Sequence, residues 1–283
     1  MARRALLALA ALALGGLALW WLYPGVFGRL APAPPPAPAA QPTPLAAPTA
    51  APVAAAPTTV PRPAGALLAL VLDDWGYQKA PVERLKTMRF PMTTSILPNL
   101  PYSRAAADAS HADGDVVILH CPMQSVKSVH RERNTLLTTM TRAQELAALN
   151  ADWDSVPWLV GMNNHEGSKA SADRRLMDVA AAFLKGKGAF FLDSVTTPRS
   201  AIPAAARAAG IPWARRRVFL DNVIKEPAIE AELEVAVKLA LKDGSCIAIG
   251  HPHKETLNVL ERMAPTLAAR GVTLVTVDTL VHP

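Results

Sequence analysis

From Gly65 onward the chain alternates short, nearly continuous apolar runs with longer stretches in which apolar residues recur every three or four positions. The runs predict strands over 66 to 73, 93 to 97, 116 to 120, 159 to 163, 189 to 193, 216 to 220, 246 to 250 and 272 to 278. Consecutive apolar side chains without polar alternation suit parallel strands covered on both faces. Pro122 is expected to end the third strand, because proline donates no ladder hydrogen bond.

The stretches between carry helix punctuation. Thr141 and Gln144 have capping-box spacing, and Ser171 is placed to cap a helix whose first turn holds Asp173. Ile229, Leu233, Ala236 and Ala240 recur at helical spacing with Gly244 just beyond, as a C-terminal cap would stand. Leu257, Leu260, Ala264 and Leu267 repeat the device with Gly271 at the end, and Pro265 predicts a kink. Repeated strand–helix units imply right-handed crossovers and a parallel α/β sheet, open or closed. Eight strands suit a barrel or an incomplete barrel; the pattern alone does not separate these from a doubly wound sheet.

Six of the apolar runs end in Asp or His: Asp73 with Asp74, His120, His165, Asp193, Asp221 and His251. Carboxyl ends of parallel strands form one face, where ligands and catalytic groups gather. One shared site is expected there.

The first quarter of the chain has a different composition. Two arginines within Met1 to Arg4 precede an uncharged apolar stretch, Ala5 to Tyr23, edged by Trp20 and Trp21. A span of ~20 residues with an aromatic border suits a bilayer and an N-terminus on the cytoplasmic side. An uncleaved transmembrane helix over 1–23 is favoured over a cleaved signal peptide, since no small-x-small site follows. Residues 24–64 become rich in Pro and Ala with almost no charge, a composition that builds no core and reads as a disordered tether reaching on the order of 100 Å. The folded domain is thus expected over 65–283, outside the inner membrane in the periplasm. A net charge of +6 with scattered basic residues, apart from Arg215 to Arg217, gives little support to nucleic-acid binding. No glycine-rich phosphate loop is present, which disfavours nucleotide. Cys121 follows one strand end and Cys246 opens another strand, so the two thiols belong at opposite ends of the sheet and no disulfide is expected.

Two adjacent carboxylates directly after a buried strand, Asp73 and Asp74, are costly unless a proton or a cation offsets their repulsion. Successive residues leave a strand in different directions, so one can bind metal while the other serves as base. Asn163, Asn164 and His165, followed by Gly167 and Ser168, form a cluster able to arrange substrate or metal, with an Asn-rich turn as the plain alternative. Asp193 and Asp221 can each orient a histidine or cap a helix. His251 is preferred over His253 as a site residue. Two or three His with at least one Asp fit an open zinc site, although the same donors suit manganese, cobalt or iron. Metal-activated water with a carboxylate base and a histidine acid is the chemistry of amide or ester hydrolysis.

The segments LVLDDWGY, SILPNLPYS, HCPMQ, VGMNNHEGS, FFLDSVT, RRVFLDN and AIGHPHKETLNVL, in that order from Leu70 to near the C-terminus, resemble the divergent polysaccharide deacetylase family of the NodB-like deacetylase superfamily. The resemblance implies a distorted or incomplete (β/α) barrel and N-deacetylation of an envelope glycan. It also implies Asp73 as base, Asp74 as metal ligand, His120 as the first ligand of an H-x-x-x-H motif and His251 as acid. Gln124 stands where the second motif histidine belongs, so His165 is expected to replace it. Asp193 is assigned to proton handling and orientation, and Asn164, Ser168 and Asp221 to substrate. Glu166 and Cys121 depart from the family's usual Met and Leu. The alternative is a catalytically inactive carbohydrate-binding or envelope-organising protein on the same fold.

Overall fold

A computed structural model describes residues 65–127 and 132–283. The expected anchor over 1–23 and linker over 24–64 lie outside the described residues. Among those described, no helix is long and apolar enough to cross a membrane.

Nine strands form one parallel sheet: β1 Ala66–Trp75, β2 Thr93–Ile96, β3 Val116–Met123, β4 Leu159–Glu166, β5 Phe190–Asp193, β6 Trp213–Arg215, β7 Val218–Phe219, β8 Ser245–Gly250 and β9 Val272–Val275. Their order is β6-β5-β4-β3-β2-β1-β8-β7, with β9 pairing the first half of β1 while β2 pairs its second half. The helices are α1 Lys79–Leu85, α2 Ser103–Ala112, α3 Arg142–Ser155, α4 Arg174–Lys187, α5 Ile202–Ala209, α6 Glu226–Asp243 and α7 Lys254–Met263. The result is a curled half-barrel, the incomplete-barrel form of the expected fold.

The predicted strand over 216 to 220 shortens to β7, Val218–Phe219, and a separate strand just before it, β6, lies on the opposite edge of the sheet. Strand β6 pairs β5 and strand β7 pairs β8. Between them Arg216 donates its amide to Asp193 on β5, and Arg217 donates to Ile247 on β8. The chain therefore crosses the barrel seam within two residues, which leaves the edges joined covalently without a ladder. Strand β3 runs past Pro122 to Met123, beyond the 116–120 expected. Its last β2 partner is Leu119, so Pro122 interrupts no ladder on that side, and its carbonyl accepts from Leu136. The last strand stops at Val275, short of the 278 expected, and gives way to a 3-10 turn over Val277–Leu280.

Alternation along β1 explains why its sequence is apolar throughout. Leu67, Ala69 and Val71 pack inside the curl with Ile118, Leu192 and Ile249, while Leu68, Leu70 and Leu72 face the helices. Val277 and Leu280 of the last 3-10 turn close the inner cluster.

Helix ends follow the sequence in part. Thr141 and Gln144 form the capping box at α3, and Gly244 in the left-handed region ends α6. Asp173, not Ser171, caps α4: its carboxylate accepts from Leu176, whereas the Ser171 hydroxyl donates to the Gly167 carbonyl. The helix expected to reach Gly271 stops at Met263, because Pro265 turns the chain into two 3-10 segments. Both cysteines are buried and free.

Asp152 on α3 ties two loops near the site. Its Oδ1 accepts from the side-chain amides of Asn99 and Asn134, each at 2.8 Å, while Oδ2 is buried without a partner. Burial pushes this carboxyl up to about 6 despite the two hydrogen bonds. A folded pKa above the ordinary value near ~4 means that the folded state binds the extra proton, so stability falls as pH rises from ~4 through about 6. Asp152→Asn, which resembles the protonated acid, is expected to be more stable than the parent at pH 8 by ~3 kcal/mol and nearly equal to it near pH 4. Urea unfolding at both pH values reads the difference. Equal gains at the two values would refute the assignment.

Candidate metal centre

Strand parity and one bulge bring the site together. Asp73 shares the inner face with Val71. The register between β1 and β2 shifts between Leu72 and Trp75, and Asp74 takes a left-handed φ of 60°. A bulge re-aims a side chain, so two consecutive carboxylates both reach the same mouth. Gly76 completes the turn at φ 125°, where a Cβ would lie 2.7 Å from the Ser103 hydroxyl. On β3 and β4, Ile118 and His120 share the inner face with Asn163 and His165, and His120 is in register with Asn163.

Asp74 Oδ1 lies 3.1 Å from His120 Nε2 and 3.0 Å from His165 Nδ1. The two imidazole nitrogens are themselves 3.1 Å apart. Atoms this close can all reach one point at the ~2.0–2.2 Å of zinc–nitrogen and zinc–oxygen bonds. Asp74 Oδ1 is buried and makes no hydrogen bond of its own. Burial by itself would raise the Asp74 carboxyl, but His120 and His165 hold it far below the usual range. Burial likewise opposes a charged His120, yet Asp73 and Asp74 keep its pKa above the ordinary value. The pocket thus favours positive charge, and a carboxylate with two imidazoles is a donor set that fits a divalent cation.

The groups behind these atoms fix their roles. Asn163 Oδ1 accepts from the Ser95 hydroxyl and lies 2.7 Å from His120 Nδ1, while its amide donates to Asp73 Oδ1. With Nδ1–H engaged there, His120 presents the Nε2 lone pair to the mouth. Gln124 turns away: its side-chain oxygen accepts from the amide and hydroxyl of Thr138, so it holds a loop instead of standing in for the missing histidine.

His251 stands across the mouth, its Nε2 3.8 Å from Asp74 Oδ2. Asp221 lies behind it, Oδ2 accepting from the His251 backbone amide and the Thr256 hydroxyl and Oδ1 lying 3.0 Å from Nδ1. Gly250 permits this approach, since a Cβ there would lie 3.2 Å from Asp221 Oδ2. Burial alone would lower the His251 pKa; the Asp221 hydrogen bond and charge, with help from Asp74 and Asp73, push it up to about 9. Asp221, His251 and His253 form a second group close enough to share an ion.

Several expected site residues have other tasks. Asp221 faces His251, with no exposed side-chain surface for substrate. Asn164 has the opposite parity to His165; it accepts from the Ser194 amide and donates to Thr196 and the Glu166 carbonyl, tying the ends of β4 and β5. Ser168 meets the Ser125 hydroxyl and accepts from the Val126 amide at the rim. Asp193 shares the helix side of the sheet with Phe191, holding the Val195 amide and Arg215. It does not join the cluster.

Sequence reasoning placed Asn163 in a polar cluster without giving it a role of its own, and it passed over Arg216 and Glu132. Arg216 donates to the carbonyls of Ser194 and Val195 and lies over Phe219, whose ring packs against His251. Within the three-arginine run it had the look of solvated charge. Glu132 lies 3.6 Å from His165 Nε2 and accepts from the Tyr77 hydroxyl; it stands in a loop, at no strand end. Beside the mouth a cleft of about 430 Å³ is lined by Trp75, Tyr77, Arg84, His253 and Leu257 together with Asp74 and His251.

A curled parallel sheet with carboxylates and imidazoles gathered at its strand ends defines a (β/α) half-barrel protein. Residues 70–281 match the divergent polysaccharide deacetylase family, and the chain belongs to that family. It is 34% identical over 215 residues to the uncharacterized protein YibQ of Escherichia coli K12, covering 76% of this chain and 67% of that one. It is 35% identical over 198 residues to an uncharacterized protein of Haemophilus influenzae, covering 70% and 71%. The fold is similar to the crystal structure of the uncharacterized protein ATU2773 of Agrobacterium tumefaciens C58, with a TM-score of 0.73 at 18% identity, covering 77% of this chain and 89% of that one. Family and fold together support a polysaccharide deacetylase-like function.

Proposed function

We propose that this protein is a metal-dependent hydrolase that removes N-acetyl or other acyl groups from an envelope glycan. The observation that carries the reading is the triangle of Asp74 Oδ1, His120 Nε2 and His165 Nδ1, whose edges are 3.0 to 3.1 Å. Asp74, His120 and His165 would hold a divalent cation, zinc first among those the donors suit. When bound, such an ion polarises an acyl carbonyl and acidifies water. Asp73, kept in place by Asn163, takes the proton of the attacking water. His251, kept in place by Asp221, gives a proton to the nitrogen as its bond to the acyl carbon breaks, leaving a free amine and a carboxylate. The cleft beside Asp74 and His251 offers aromatic walls for a sugar ring. The apolar stretch over Ala5 to Tyr23 supports anchoring to the inner membrane with the domain in the periplasm.

The test is metal content together with acetate release from N-acetylated glycan oligomers. Purified full-length protein is expected to carry stoichiometric divalent metal, to lose acetate release on chelation and to regain it with zinc or cobalt. Gln124 in place of a motif histidine is the observation that favours the inactive, carbohydrate-binding alternative. A folded protein that takes up no divalent metal would rule out the metal-dependent hydrolase.

A further inference from the structure

We infer that Glu132, held by Tyr77, is the positioning residue that sets the tautomer and orientation of His165. The inference rests on the metal-site reading above and explains how this chain manages without the second histidine of the wider motif. Each imidazole at the mouth turns one nitrogen inward and has an acceptor behind the other. His120 has Asn163 Oδ1 at 2.7 Å and His251 has Asp221 Oδ1 at 3.0 Å. His165 turns Nδ1 toward Asp74, so a lone pair at Nδ1 requires the proton on Nε2. Among the described residues, the carboxylate that faces His165 Nε2 is Glu132, at 3.6 Å.

At that distance the contact is electrostatic more than a completed hydrogen bond, and its strength depends on the carboxylate staying in place. Tyr77 supplies that restraint. Its hydroxyl donates to Glu132 Oε1 at 2.7 Å, linking the turn after β1 to the loop between β3 and α3. The link spans 55 residues of sequence and joins the turn that follows Asp74 to the group behind His165. His120 and His251 are backed by residues at or beside strand ends, whereas His165 depends on a loop. An anionic acceptor behind an imidazole fixes its tautomer and raises its basicity as a ligand.

Full-length protein with nitrogen-15-labelled histidine, studied metal-free, reports the tautomer directly, and competition against a zinc-chelating dye reports affinity. The parent is expected to show His165 protonated on Nε2. Glu132→Ala is expected to mix the tautomers and weaken zinc binding about 10- to 100-fold. Glu132→Gln, which keeps an acceptor without the charge, should recover the tautomer and part of the affinity. Tyr77→Phe, at an exposed residue that leaves the core intact, should weaken binding less than Glu132→Ala does. Unchanged tautomer and unchanged affinity in Glu132→Ala, or in Tyr77→Phe should that variant alone fold, would overturn the inference. A parent that binds no zinc would sink the metal-site reading, while the tautomer of the metal-free proteins would still judge Glu132.

Discussion

Under the proposed function, replacing Asp74 with Asn is expected to abolish stoichiometric metal binding and to slow glycan deacetylation by ~10³-fold or more, equal to ~4 kcal/mol of lost transition-state stabilisation. Asn is the informative substitution because Asp74 sits at a φ of 60°, a region that Asn tolerates and most side chains do not. The backbone turn survives and the buried anionic oxygen does not. Zinc at ~100 times its dissociation constant would stabilise the parent by ~2.7 kcal/mol, or a melting rise of ~5–10 °C for a domain of this size. Asp74→Asn should melt near the metal-free parent and show no such rise. Full activity, or a zinc-dependent rise equal to the parent's, would remove Asp74 from the metal centre.

Asp221→Asn is expected to lower turnover by ~10²-fold or more and to move the alkaline limb of the rate profile to lower pH. The carboxylate contacts both the backbone amide and Nδ1 of His251, and it is a main contributor to the pKa of about 9. Without its charge the imidazolium loses its proton nearer the ordinary histidine value of ~6.5, so less of the acid form is present at neutral pH. The same shift sets a stability window. A folded pKa raised above the unfolded one stabilises fully below ~6.5 and loses that contribution as pH rises through about 9. The variant should therefore lose most stability between pH ~4 and ~6.5, where both charges are present, and least above pH 9. Thr256→Val, which removes the third contact of Asp221 and leaves His251 its partner, should leave the limb in place. A limb that does not move in Asp221→Asn would show that His251 is not the proton donor.

Much of the site was legible because strand ends are marked by an abrupt change from apolar to polar residues. Asp73, Asp74, His120 and His251 stand at such changes and His165 two residues past one, and all face one mouth. Asp193 stands at one too, but it lies on the helix side. Parity decides this: Leu192 points into the curl, so Asp193 points away, and that follows only once the inner face of β5 is known. Asp221 orients a histidine, one of the two roles its chemistry offered, and a close approach at Gly250 turns it toward His251 and away from the substrate role also assigned to it. Glu132 was not legible. Its place depends on contacts that Glu132 and its neighbour Asn134 make with Tyr77 and Asp152, which no pattern around His165 records.

The apolar runs and their helical spacers by themselves determined the alternation of strand and helix, the parallel sheet and the polar face at the strand ends, because burial on two faces demands uninterrupted apolar residues. The tertiary structure alone decided where the sheet curls, that the run around Arg216 crosses its seam, which carboxylates point inward, and that Gln124 turns to Thr138. Those outcomes depend on register, on one bulge at Asp74 and on side-chain distances of a few ångströms. Such quantities are set by packing between segments far apart in the chain, and no local pattern records them.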